Sequence, residues 1–124
     1  MNNILIVEDN VLNLRLFSDV LKSQGFNVWT ACDSVSMWNL LLNGKVPDLI
    51  LMDIQLPSVS GIDLLRQIRL DKKYDTIVIG AISAFAMKTE EQAILKEGFD
   101  FFLSKPVDIH RLIEMVFLFL KIKK

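Results

Sequence analysis

The chain of 124 residues has a single cysteine, Cys32, too few for an internal disulfide, which points to a reducing, cytoplasmic setting. Long apolar runs are also missing. The first, Ile4 to Val7, is followed at once by Glu8 and Asp9, and so does not read as a signal peptide. The last, Met115 to Leu120, falls well short of the roughly 20 residues that span a bilayer, so no membrane insertion is expected. An excess of positive charge is absent too: 14 basic against 15 acidic residues leave a formal charge of -1, with no field to draw nucleic acid phosphates. Internal repeats, linkers and low-complexity tracts are not found.

What remains is rich in apolar residues, 52% against 23% charged, the composition of a packed globular chain. Its length suits one domain with a single core, so residues 1–124 are read as one domain with no output domain. Five short apolar runs have strand length: Ile4 to Val7, Val28 to Ala31, Leu49 to Met52, Ile77 to Ile82 and Phe101 to Leu103. The first, third and fourth are continuous rather than alternating, as strands covered on both faces are.

Segments of helical period separate them. Leu14, Phe17 and Leu21 share a stripe that stops at Gly25; Met37, Leu40 and Leu41 share another before Gly44 and Pro47; Leu65 and Ile68 follow Gly61. Thr89 and Gln92 have the spacing of a capping box for a fourth helix closed by Gly98. A fifth follows Pro106 and Asp108, with Leu112, Val116 and Leu120 in line. Five β-α units with right-handed crossovers predict an α/β fold: a five-stranded parallel sheet, flavodoxin-like in strand order 2-1-3-4-5, with helices on both faces.

In such a sheet ligands bind beyond the carboxyl ends of the strands. Glu8 and Asp9 follow strand one, Asp53 strand three, Ser83 strand four and Lys105 strand five. Strands one and three are neighbours at the switch point, so their carboxylates converge. Left alone they repel, and the cluster either raises its own pKa values or recruits a cation; oxygen donors with several waters suit Mg2+.

The local sequences carry more than the spacing: Val7-Glu8-Asp9-Asn10, the run from Pro47 through Asp53-Ile54-Gln55-Leu56-Pro57 to Gly61, Ala81-Ile82-Ser83-Ala84 and Ser104-Lys105-Pro106. With these the chain resembles response-regulator receiver domains along essentially its whole length. Glu8 to Asn13, Asp53 to Pro57 and Ala84-Phe85-Ala86-Met87-Lys88 are most similar to the single-domain DivK-type regulators of cell division. The resemblance implies that Asp53 is a phosphoacceptor, that Asp9, Asp53 and the Gln55 backbone carbonyl hold Mg2+ with Glu8 acting through a water, and that Lys105 neutralises phosphoryl charge. It implies a switch in which the Ser83 hydroxyl moves to the phosphoryl group and the Phe102 ring turns inward. A sensor histidine kinase or histidine phosphotransfer protein would be the donor and a downstream protein the reader.

Three aromatics depart from the family pattern. Phe102 stands where tyrosine is also common, Phe99 where a small residue is usual, and Phe101 where a polar one is usual. Phe101 is therefore expected either to be exposed, forming with Phe102 an apolar partner surface on the face of helix four, strand five and helix five, or to pack under Phe119. Phe85, two residues after Ser83, is a candidate shield for the acyl phosphate. His110 and the Lys121, Lys123 and Lys124 tail read as surface groups, Trp29 and Trp38 as packing residues, and Cys32 as a small buried or half-buried group.

Two other function classes compete. A phosphatase using an aspartyl-phosphate intermediate favours a second carboxylate two residues after the nucleophile, where this chain has Gln55. A flavin carrier needs a phosphate-cradling loop after strand one, where Glu8 and Asp9 would repel phosphate.

Overall fold

The computed structural model describes residues 2–84 and 87–122. Phe85, with the role expected of it, and Lys123 and Lys124 of the basic tail lie outside the described residues. Strands β1 (Asn3–Val7), β2 (Asn27–Ala31), β3 (Leu49–Asp53), β4 (Val78–Ser83) and β5 (Phe101–Ser104) alternate with helices α1 (Val11–Ser23), α2 (Ser34–Leu42), α3 (Gly61–Arg69), α4 (Lys88–Lys96) and α5 (Ile109–Leu120). A short 3-10 turn, Lys72–Tyr74, precedes β4 and buries Tyr74. All strand pairs are parallel and the order is β2-β1-β3-β4-β5, as expected.

The alternation of side chains along a strand divides the core in two. Leu5, Val7, Ile50, Met52, Ile79 and Ala81 face one way and pack with Met37 and Leu41 of α2, Leu64, Leu65 and Ile68 of α3, and Ile94 of α4. Ile4, Ile6, Leu49, Leu51, Ile82, Phe101 and Leu103 face the other way and pack with Phe17 and Leu21 of α1 and Leu112, Met115 and Val116 of α5. All five residues of β3 are buried, which is why it reads as a continuous apolar run ending in an aspartate. Among the described residues no helix is long and apolar enough to cross a membrane.

Side-chain caps fix most helix starts: Asn10, Asp33, Ser60 and Asp108 each accept from backbone N–H groups of the first turn. The fourth helix is the exception. It begins at Lys88, before Thr89, with Met87 at the cap and no side-chain bond, so the Thr89–Gln92 box does not form. Glu91 N–H instead donates to the Met87 carbonyl at 3.0 Å, which places Thr89 inside the first turn. Cys32 is exposed, not buried, because it lies just past the end of β2.

Phe101 also corrects an expectation. It is only 2% exposed, so it offers no partner surface. Its register partner on β4 is Gly80, where a Cβ would stand 2.2 Å from the Phe101 ring, and Phe119 of α5 closes the other side at 4.9 Å between centroids. A glycine on the neighbouring strand leaves the room that an aromatic ring fills.

Candidate functional site

Glu8 directly follows β1 and is wholly buried. Its amide continues the sheet by donating to the Ala31 carbonyl at 3.0 Å, which draws the side chain inward. The carboxylate Oε2 accepts from Asn10 N at 3.1 Å, and Asn10 Oδ1 in turn accepts from Asn13 N at 3.0 Å to start α1. Asp9, in the turn between them, is exposed.

Asp53 closes β3 and is 1% exposed. Its Oδ1 accepts from Gln55 N at 2.8 Å, while Oδ2 lies 3.0 Å from Lys105 Nζ. The backbone here is tightly packed: a Cβ on Gly61 would stand 2.4 Å from the Asp53 carbonyl oxygen, so only glycine lets α3 begin against this strand end. Ile54 N donates to the Ile82 carbonyl at 2.9 Å, tying the loop to β4.

Lys105 reaches back from the end of β5 and is also 3.2 Å from Glu8 Oε1. That oxygen takes the ion-pair contact without accepting a hydrogen bond. Ser83 is buried at the end of β4; its carbonyl accepts from Lys105 N at 2.9 Å. The next amide, Ala84 N, donates to the Gln55 side chain Oε1 at 3.1 Å. The structure thus brings Glu8, Asp9, Asp53, Ser83 and Lys105 to the carboxyl end of the sheet, and carboxylate oxygens of Glu8, Asp9 and Asp53 lie within 4.8 Å of one another.

The charges are unequal. Burial, reinforced by its hydrogen bond with Asp53, raises the Glu8 pKa to about 7. Burial opposes ionisation of Asp53 as well, but hydrogen bonds from Glu8, Gln55 N and Lys105 outweigh it and hold Asp53 below the usual carboxylate range. Burial likewise opposes the Lys105 charge, and its contacts with Asp53 and Glu8 overcome that, raising its pKa. Glu8 therefore keeps its proton to a higher pH than Asp53, which stays ionised. A hard cation would displace that proton, and a donor set of oxygens alone fits Mg2+.

Phe102 is half-buried and points to the opposite sheet face from Phe101. It lines a groove with Glu91 of α4 and Arg111 of α5. His110 is exposed and apart from the carboxylates, and Trp29 and Trp38 pack at the edge of the core, as read from the sequence. Two features had escaped that reading. The full burial of Glu8 is signalled only by its place one residue beyond a continuous apolar strand, and the Gln55 side-chain bond to Ala84 has no local signal, being formed across 29 residues.

Residues 4–117 match the family model for the response regulator receiver domain. The chain is 38% identical over 114 residues to the polar-differentiation response regulator DivK of Brucella anthropi, covering 92% of each chain, and equally similar to that of Brucella ovis. Among solved structures, the Francisella response regulator 1452 receiver domain superposes with a TM-score of 0.88 at 26% identity, covering 98% of both chains. The receiver domain of the sensor histidine kinase PA1611 from Pseudomonas aeruginosa superposes with a TM-score of 0.85 at 28% identity, covering 97% of this chain and 98% of its own. That structure has a magnesium ion coordinated in its active site cleft.

Proposed function

The chain belongs to the response regulator receiver domain family of two-component signalling, and from that premise we propose that Asp53 accepts a phosphoryl group from a histidine kinase or a histidine phosphotransfer protein. The observation that carries the reading is a buried aspartate kept ionised against Lys105, at the mouth of the sheet, beside two further carboxylates. In the transfer, one Asp53 oxygen attacks phosphorus and the O–P bond forms as the P–N bond to the donor imidazole breaks. The electron pair stays on that nitrogen, which then takes up a proton from water.

Asp9, Asp53 and the Gln55 backbone carbonyl would hold Mg2+, with Glu8 joining through a water. When bound, the ion neutralises charge on the phosphoryl oxygens. Lys105 supplies a fixed positive charge to the same oxygens, and Gln55 N orients the Asp53 carboxylate through the 2.8 Å bond. Ser83, at the end of the adjacent strand, would donate its hydroxyl to the phosphoryl group. Phe102 would follow it inward and reshape the groove it shares with Glu91 and Arg111, so that a downstream protein reads the change there.

A protein donor needs a place to dock beside Lys105. Val11, Leu12 and Leu16 on α1 are 72%, 79% and 45% exposed, and Leu16 borders a groove of about 380 Å3 with Lys105, Pro106 and Val107. This supports docking of the donor across α1. The likeness to DivK, covering 92% of that protein's length, supports reading residues 1–124 as a receiver that works through protein contacts in polarity or cell-division control, rather than as a turnover enzyme. The test is incubation with radiolabelled acetyl phosphate. Label should enter with Mg2+ and stay out with EDTA or in Asp53→Asn; equal labelling of that variant would overturn the proposal.

A further inference from the structure

We infer that the Gln55 side chain is a positioning residue that latches the Ser83–Ala84 peptide in the unphosphorylated protein, so that a phosphoryl group on Asp53 must draw the Ala84 N–H away from it. The inference rests on Asp53 being the phosphoacceptor.

The Ser83–Ala84 peptide is held from both sides. Its carbonyl accepts from Lys105 N at 2.9 Å and its N–H donates to Gln55 Oε1 at 3.1 Å. Gln55 is anchored at its other end, where its own N–H donates to Asp53 Oδ1 at 2.8 Å. One residue therefore spans from the acceptor carboxylate to the turn after β4. Gln55 and Ala84 are both exposed, so packing does not force their contact; the hydrogen bond itself joins the two loops.

A phosphoryl group on Asp53 brings three oxygens into this space. Lys105 Nζ is one donor already in place, 3.0 Å from Oδ2. The Ala84 N–H is a backbone donor joined to the same carboxylate through Gln55, which bonds to both. A bond from it to a charged phosphoryl oxygen is roughly twice as strong as one to a neutral amide, so the incoming group wins the donor. The bond to Gln55 must first break, and that cost weakens the phosphorylated arrangement. A residue with no acceptor at position 55 would spare the cost.

The test uses Gln55→Met, similar in length but without the carbonyl, and Mg2+ with fluoroberyllate as the phosphoryl probe. The Ala84 amide is followed by 15N–1H NMR. In the unliganded Met variant the Ala84 proton should move upfield, and in Gln55→Glu, which keeps an acceptor, it should return; failure to return would overturn the latch. Fluoroberyllate should bind the Met variant about three- to tenfold more tightly than wild type, the worth of one net hydrogen bond. A merely structural role would loosen binding instead, so equal or weaker affinity overturns the latch while leaving Asp53 as acceptor. Failure of wild type to bind fluoroberyllate at all would overturn both.

Discussion

Raising the pH of the metal-free protein from about 5 to about 8 is expected to destabilise it, and Glu8 is the cause. In the folded chain this carboxyl keeps its proton up to about 7, against an ordinary value of 4.5. Between those values the folded state holds a proton that the unfolded state has lost, so stability falls as pH rises through the window and levels off above it. At 1.36 kcal/mol per pH unit the loss is about 3 kcal/mol at most. Asp53 acts in a different window: its pKa is depressed, so its contribution is present above 3.8 and is lost as pH falls through the lowered value. Lys105 is raised, and its contribution fades only above 10.5. With a urea slope of roughly 1–3 kcal/mol/M, the unfolding midpoint should drop by about 1–3 M at most. The assay is urea unfolding in EDTA across this pH range, read by tryptophan fluorescence. Glu8→Gln, neutral throughout, should abolish the drop, and Mg2+ should counter it by favouring the ionised carboxyl. A wild-type protein that gains stability between about pH 5 and 8, or a Gln variant with an equal drop, would refute the reasoning.

Phe101→Ala should cost about 3–5 kcal/mol in chemical unfolding, because it empties the space between Gly80 and Phe119; a loss typical of a surface site would contradict its packing. Gly61→Ala should cost roughly 1–3 kcal/mol and also slow phosphorylation, since the added Cβ meets the Asp53 carbonyl at 2.4 Å; wild-type stability would be the contrary result. Lys105→Met should slow phosphorylation by acetyl phosphate by about 10²–10³-fold without preventing folding, as expected for loss of one charge-stabilising donor, and an unchanged rate would remove Lys105 from that role.

The sheet and its order were legible because strands buried on both faces leave bounded apolar runs, and because the polar groups that interrupt the pattern fall at their ends. Asp53 is the clearest case: the last residue of a strand whose other four positions are apolar. The start of α4 was not legible, since nothing in a Thr-x-x-Gln spacing shows that the chain has already entered the helix one residue earlier. Phe101 was left between a surface group and a residue packed under Phe119, and the packed alternative holds, because its burial depends on a glycine on the adjacent strand, a pairing that only the register shows. The aromatic–glycine match at Gly80 was the available signal. The unequal charge states of Glu8 and Asp53 depend on burial and on contacts between three strand ends, which spacing along the chain does not encode.

The central claim is that Asp53 is the group that receives phosphate, and chemical trapping of the acyl phosphate addresses it most directly. Wild-type protein treated with acetyl phosphate and Mg2+, then reduced with borohydride and mapped by peptide mass spectrometry, should carry homoserine at position 53 and at no other aspartate. Reduction at Asp9 or elsewhere, or an unmodified residue 53 in protein that has taken up label, would contradict the account.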